Sequence, residues 1–274
     1  SIPPYDISES VIIKIKEEVN KVISNMKIVG LVNVQLAYVN DQVYLLEVNP
    51  RASRTIPFVS KALGIPLARI AARVMAGKSL KELNFKGVPN IKGFCVKEAV
   101  MPFNKFQNVD PILGPEMRST GEVMGIGDTF AEAFEKAEVA AGVEIPKTGS
   151  VFISVRDTDK QFLSEIIPSL DKEGFKLIAT KGTANVIKDM GYKVMQIKKV
   201  LEGRPNIIDL MKNKEVNLVI NTTEGRESIQ DSASIRRTAL DQKICCTTTI
   251  QGAKAICEVL SKKVDWSYQK LQDS

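Results

Sequence analysis

The sequence predicts an α/β protein in which an α+β region is followed by a domain built on a parallel sheet. Beyond Gly149, short apolar strands alternate with helical segments, the pattern of a parallel sheet with helices on both faces. The chain is 44% hydrophobic and 26% charged, the balance of a globular protein with a buried core. We therefore predict two domains, 1–145 and 146–274, with the boundary at Ile145 to Gly149.

The first region begins with an amphipathic helix from Ser8 to Met26, whose apolar residues recur every three or four positions. Two β-rich runs, 31–39 and 43–48, follow it and are joined by Asn40 and Asp41, which predicts an antiparallel hairpin. The remaining predictions for this region are two helices within 56–77 broken at Gly64 and Pro66, a strand at 93–100, a long ordered surface loop at 102–127 and a helix at 130–141.

The second region contains five short apolar runs that we predict to be the strands of the parallel sheet. They are 151–155, 176–180, 193–197, 216–222 and 244–248.

Composition excludes several functional classes. The chain has no histidine, which excludes a histidine base, and its four cysteines show no CxxC spacing, so a zinc site is disfavoured. Its 38 basic and 32 acidic residues are interspersed and aromatic residues are only 6%, which disfavours a nucleic-acid partner. No apolar run is long enough to span a membrane, and we expect a cytoplasmic protein.

Oxygen-bearing side chains converge on the predicted hairpin. Gln35 lies in its first strand, and Glu47 and Asn49 lie two residues apart in the second, on one face. Arg51 and Arg54 follow directly. A carboxylate and amide oxygens suit Mg²⁺ and guanidinium groups suit phosphate, so the pattern fits a metal-bound nucleoside triphosphate and, equally, a solvated strand edge with a turn.

The sequence of residues 33–80, which begins NVQLAYVNDQVYLLEVNPRASRTIPF, resembles that of the last part of the ATP-grasp fold in the carbamoyl phosphate synthetase large subunit. The resemblance continues through residues 95–137, CVKEAVMPFNKFQNVDPILGPEMRSTGEVMGIGDTFAEAFEKA. It implies that Gln35, Glu47 and Asn49 ligate Mg²⁺ or Mn²⁺ and that Arg51 and Arg54 contact the phosphates of ATP. The family also needs an upstream lobe that holds the nucleotide, so we expect this chain alone to be inactive.

A second set of polar residues follows the strands of the predicted sheet. ATKGTA (179–184) and NTTEGR (221–226) each end a strand, where helix N-termini and hydroxyl groups favour a bound anion. Threonines at such turns also serve as ordinary helix caps, and both interpretations stand on spacing alone.

From Ser150 to Cys257 the chain resembles the methylglyoxal synthase-like, Rossmann-like domain of the same family, which binds uridine or inosine monophosphate in regulated bacterial members. On that resemblance the effector contacts are Lys160, Thr180, Thr183, Lys199, Asn221, Thr222 and Thr223. Arg236 and Arg237 are either near the ligand or helix-surface cations.

Glu98 and Thr248 match the positions at which family members that respond to ornithine bind it. These members have a tyrosine where this chain has Cys246, which leaves ornithine binding open. The adjacent pair Cys245 and Cys246 is interpreted as strand packing rather than a redox switch.

Three functions compete. The first is a part of a ligase that uses ATP, bicarbonate and carbamate, together with the rest of the large subunit and a small glutaminase subunit, for pyrimidine and arginine synthesis. The second is a nucleotide-sensing module without catalysis of its own, which we favour for the isolated chain. Methylglyoxal synthase itself is disfavoured, because that family relies on a histidine and an aspartate.

Overall fold

The structure is a computed structural model that describes residues 1–101, 118–225, 229–230 and 232–262. It divides into two compact units, Ser1–Cys95 and Val96–Ser274. The functional boundary near residue 145 stays a prediction. Within the described ranges, no helix is long and apolar enough to cross a bilayer.

The first unit consists of three helices and a hairpin. Helix α1 spans Glu9–Ser24, strands β1 and β2 span Asn33–Val39 and Gln42–Asn49, and helices α2 and α3 span Ile56–Leu63 and Leu67–Met75. The left-handed Gly64 ends α2, as the sequence predicts. Strands β1 and β2 pair antiparallel, with a register irregularity between Gln35 and Leu36.

Strand β3 (Phe94–Val100), which begins at the end of the first unit, pairs with β4 (Gly121–Gly127) of the second, and helix α4 (Phe130–Ala141) packs on β4. The predicted surface loop at 102–127 is therefore wrong for β4, while residues 102–117 lie outside the described part of the chain. The glycines of this strand resemble those of a loop, and the structure explains why Gly125 is a glycine. A Cβ on Gly125 would lie 2.0 Å from the carbonyl oxygen of Ala133, so α4 lies directly on the strand backbone.

The rest of the unit is a five-stranded sheet in the order β7-β6-β5-β8-β9, with every neighbouring pair parallel. Its strands are β5 (Ser150–Ser154), β6 (Lys176–Thr180), β7 (Val194–Ile197), β8 (Leu218–Asn221) and β9 (Cys245–Thr247). The helices are α5 (Leu163–Lys172), α6 (Lys181–Asp189), α7 (Ile207–Lys212), α8 (Ala233–Asp241) and α9 (Ile250–Lys262). The predicted α/β class and parallel sheet are confirmed.

The sheet has a separate hydrophobic core on each face. Val151 and Ile153 face one cluster, built with residues of α5, α6 and α9, whereas Phe152 between them faces another, built with α7 and α8. This alternation is the two-residue period of a strand that is covered on both sides. Strand order reverses at β5, so the crevice at the carboxyl ends of β5, β6 and β8 is where such a sheet binds ligands.

Candidate functional site

On the hairpin, the structure brings the three predicted metal ligands together. Gln35 is the cross-strand partner of Glu47, and side chains of such partners share a face. Asn49 lies two residues further on and its Nδ2 donates a hydrogen bond of 2.8 Å to Glu47 Oε1. One carboxylate and two amide oxygens therefore lie on one face of an exposed hairpin.

Arg51 and Arg54 lie immediately after β2 on exposed positions. The turn is fixed by a backbone hydrogen bond of 2.8 Å from Arg51 N to Asn49 O, and one Arg51 guanidinium nitrogen donates to the Ala52 carbonyl at 3.1 Å. Among the described residues, neither guanidinium has a carboxylate partner. Both remain available to an anion that lies beside the neighbouring oxygen cluster.

This chemistry fits a magnesium ion that is completed by its substrate. The described residues contain no group of three or more acidic, histidine or cysteine side chains able to hold a metal. Mg²⁺ is typically bound by one or two carboxylates, with phosphate oxygens and waters as its other ligands. Glu47 supplies the carboxylate, and Asn49 keeps its oxygen free because it uses its nitrogen toward Glu47.

At the carboxyl edge of the parallel sheet, four predicted effector residues are buried. Thr180, Thr183, Asn221 and Thr222 are at most 6% exposed. Their hydroxyls join the strands: Ser154 Oγ and Thr180 Oγ1 are 3.1 Å apart, and Thr183 Oγ1 accepts a 3.2 Å hydrogen bond from the backbone N–H of residue 155. The threonines therefore have fixed orientations, and Thr183 keeps its O–H as a donor.

Asn221 is the unusual member of this edge. It ends β8 beside Ser154 of β5 and is 1% exposed. Neither its side-chain oxygen nor its side-chain nitrogen has a hydrogen-bond partner among the described residues. Buried polar groups are nearly always paired, and this amide, which no described residue satisfies, is able to accept from and donate to a polar ligand at the edge where such a sheet binds ligands.

Two of the predicted lysines border this edge. Lys160 lies in a short 3₁₀-helix, Asp157–Phe162, and its Nζ would be 3.2 Å from a Cβ on Gly182, so it lies over the first turn of α6. It pairs with Asp157 Oδ1 at 2.7 Å.

Lys199 is exposed after β7, and its charge also acts on Asp157. Thr223 follows Thr222 and is partly exposed. A helix N-terminus and two ammonium groups make this edge favourable for an anion.

Sequence reasoning missed Ser154, Arg156 and Asp157. Arg156 donates from Nε to Asp159 at 2.9 Å, its NH1 lies 3.8 Å from Glu224, and its backbone N–H donates to Thr222 Oγ1 at 3.1 Å. The loops after β5 and β8 are thereby tied together. Only the spacing of Asp157 and Lys160 could have been noticed in the sequence, because the adjacency of β5 and β8 is a property of the fold.

Glu98 and Thr248 are not joined to the threonine cluster by any hydrogen bond or ion pair in the described residues. Glu98 lies on β3, where burial raises the pKa of its carboxyl. Its neighbour is Glu138 of α4, whose pKa is raised to about 7 by burial and by the charge of Glu98. Thr248 is exposed just beyond β9.

The two arginines of α8 differ. Arg236 is 3% exposed and donates to the Ile229 carbonyl at 2.8 Å, whereas Arg237 pairs with Asp241 one turn along the helix. Arg226 lies outside the described residues.

Burial raises the pKa of both Cys245 and Cys246 to about 12, which makes them poor nucleophiles and agrees with a packing role.

Two parts of the chain match known protein families. Residues 2–83 match the family model of the carbamoyl-phosphate synthase L chain, ATP binding domain, and residues 163–248 match that of the MGS-like domain. A crystal structure of methylglyoxal synthase from Elizabethkingia anophelis NUHP1 covers 41% of this chain and 79% of its own, at 19% identity and a TM-score of 0.35, a likeness too weak for functional inference.

The chain is also similar throughout to curated proteins. The carbamoyl phosphate synthase large chains of Pseudomonas syringae pv. tomato and Pseudomonas putida are each 55% identical to it over 275 residues, and that of Pasteurella multocida is 51% identical over 274. Each alignment covers 100% of this chain but only 25% or 26% of the relative. The chain thus spans about a quarter of the length of these relatives. It belongs to the carbamoyl phosphate synthase large-chain family and corresponds to a carboxyl-terminal part of it, with an ATP-binding region and an MGS-like domain.

Proposed function

We propose that this chain supplies one wall of a magnesium-ATP cleft for carbamate phosphorylation, and a regulatory domain that binds a nucleoside monophosphate. The complete ligase would use bicarbonate and glutamine-derived ammonia, with a small glutaminase subunit, in the cytoplasm. Its carbamoyl phosphate would serve pyrimidine and arginine synthesis.

In the catalytic part, Glu47 with Gln35 and Asn49 would hold Mg²⁺ or Mn²⁺, and Arg51 and Arg54 would face the phosphates. The bound metal would neutralise charge on the phosphoryl group as it transfers. The residues of this chain would orient that ion, because the hydrogen bond from Asn49 Nδ2 holds one Glu47 oxygen in place.

The catalytic proposal is tested in the complete large chain with Glu47→Gln. Removing the one carboxylate of the cluster should lower kcat for ATP-dependent carbamoyl phosphate synthesis about 100-fold, in the range found for lost metal or electrostatic contacts. Glu17→Gln, on an exposed position of α1, is the matched control and should leave the rate unchanged. A normal rate for Glu47→Gln would remove this residue from the metal site.

The observation that carries the regulatory proposal is the buried amide of Asn221, which has no hydrogen-bond partner among the described residues and lies amid the hydroxyls of Thr180, Thr183 and Thr222. A phosphate bound at the N-terminus of α6 would accept from these hydroxyls and pair with Lys160. Lys199 and Thr223 would complete the site at its exposed side. Uridine and inosine monophosphates are the proposed effectors, as the family resemblance implies.

Calorimetric titration of the 274-residue chain with both nucleotides tests this site. Thr183→Ala removes an O–H donor to a charged group, worth about 1.5–3 kcal/mol, so affinity should fall about 10- to 100-fold. Thr183→Ser keeps the donor and should bind nearly as the parent chain does. Equal affinity in the alanine variant, or no heat with the parent chain, would refute the proposed pocket.

Ornithine remains a second proposed effector, at Glu98 and Thr248. The carboxylate of Glu98 could pair with an ammonium group, but its raised pKa and the nearby Glu138 make the site differ from a simple exposed carboxylate. A titration with ornithine in the presence of a saturating nucleotide would test it. Failure of ornithine to bind would agree with the cysteine at position 246.

A further inference from the structure

The sheet-edge site already contains a carboxylate. Asp157 Oδ1 lies 2.7 Å from Lys160 Nζ, the ammonium that lies over the first turn of α6. The Asp157 side chain is 92% exposed and that of Lys160 is 27% exposed, so the Asp157 carboxylate lies on the solvent side of an ammonium group that is held against the protein. A phosphate arriving from solvent would reach Lys160 from this same side.

A second lysine acts on the same carboxylate. The pKa of Asp157 is lowered, first by the hydrogen bond from Lys160, then by the charge of Lys160, and also by the charge of Lys199. Asp157 is therefore ionised near neutral pH. The two lysines proposed to bind the effector phosphate thus share an intramolecular anion.

The two neighbouring acidic residues, Asp159 and Glu224, lie beside Arg156 rather than beside a lysine. Asp159 is 6% exposed and accepts from Arg156 Nε at 2.9 Å, which commits it to the loop structure. Glu224 lies 3.8 Å from the same guanidinium, on the loop after β8. Of these three acids, Asp157 alone contacts a lysine in the described residues.

We propose that the Asp157 carboxylate competes with the effector phosphate for Lys160 and thereby weakens nucleotide binding. The inference rests on the proposed function of this edge as a phosphate site. A phosphate bound to Lys160 would lie beside a like charge unless Asp157 turned away into solvent, and either event opposes binding. Asp157 is thus a residue that sets affinity, and its removal should tighten the site.

Calorimetric titration of the full 274-residue chain with uridine monophosphate tests the proposal. Asp157→Asn keeps the shape of the side chain and removes its charge, so the Kd should fall about fivefold, in the range of an exposed ion pair. Asp171→Asn makes the same change in net charge and should leave the Kd unchanged. Asp171 is exposed near the end of α5, shortly before β6 begins, and so lies toward the amino ends of the strands, away from the proposed site.

A double-mutant cycle assigns the effect to Lys160. In a Lys160→Met background, which binds more weakly, Asp157→Asn should tighten binding less than twofold, because the competed cation is gone. Unchanged or weaker binding by Asp157→Asn, with normal binding by the parent chain, would overturn this inference alone. Equal tightening by Asp171→Asn would also overturn it. No binding by either the parent or Asp157→Asn would refute the phosphate site itself.

Discussion

Replacing Glu138 with glutamine should stabilise the protein, and only above mildly acidic pH. Glu138 lies on α4 in a partly buried position, near Glu98 of β3. Burial, followed by the charge of Glu98, raises its pKa from 4.5 to about 7. The folded protein therefore binds this proton more tightly than the unfolded chain does. Between these two values the unfolded chain holds fewer protons, so the free energy of unfolding falls as pH rises.

The size of this effect follows from the two pKa values. A difference of about 2.5 units, from 4.5 to about 7, corresponds to about 3 kcal/mol at 1.36 kcal/mol per unit. The penalty is fully present above the folded pKa, is only about 1 kcal/mol near pH 5, and disappears below 4.5. Glutamine has nearly the same shape and no charge, so Glu138→Gln should recover about 1 to 3 kcal/mol at about pH 8.

Urea unfolding followed by circular dichroism, at about pH 5 and about pH 8, measures this difference. The variant should have a higher midpoint than the parent chain at the higher pH and a much smaller advantage at the lower one. Glu144→Gln, on an exposed position shortly after α4, controls for the loss of one negative charge. A Glu138→Gln variant that is destabilised at both pH values, or stabilised equally at both, would contradict the burial argument.

Three further predictions concern packing. Gly125→Ala should lower the free energy of unfolding by about 3 kcal/mol or more, because the added Cβ would meet the Ala133 carbonyl oxygen. A variant as stable in urea as the parent chain would contradict the close packing of α4 on β4. Asn206→Ala should lower the free energy of unfolding by about 1–2 kcal/mol, since this buried amide caps α7, whereas Asn206→Asp should lose less. Cys245 and Cys257, whose pKa values burial raises to about 12 and about 11, should react with iodoacetamide only after unfolding in urea. Rapid labelling of both thiols in the native protein would refute their burial.

The sequence predicts elements best where their ends carry local signals. Helix α4 has the ends that the sequence predicts, and local capping accounts for them: Thr129 accepts from the N–H of Glu132 at its start and Gly142 takes a left-handed conformation at its end. The sequence does not predict strand β4, because its glycines resemble those of a loop. Gly125 is required by the closeness of α4, which is a tertiary contact and leaves no periodic signal.

The same distinction applies to the candidate sites. Glu47 and Asn49 share a face because they lie two apart in one strand, so their convergence follows from local geometry. The pairing of Ser154 with Asn221, by contrast, depends on β5 lying beside β8, and a sequence alone does not give strand order. That the Asn221 amide lacks a partner within the described part of the chain follows from the same tertiary neighbours, which the sequence does not specify.

The two candidate sites differ in how much of each is enclosed by the described residues. The hairpin exposes Tyr38, Tyr44, Leu45 and Leu46, and few of the described apolar residues of its unit are buried, so we expect the proposed cleft to be completed by a further protein surface. The sheet edge lies in a domain with a core on each face, and its buried polar residues come from that domain alone. Changes at the hairpin should therefore be visible only in the complete large chain. Changes at the sheet edge should alter nucleotide affinity in this chain by itself, and a nucleotide site that formed only in the complete large chain would contradict this distinction.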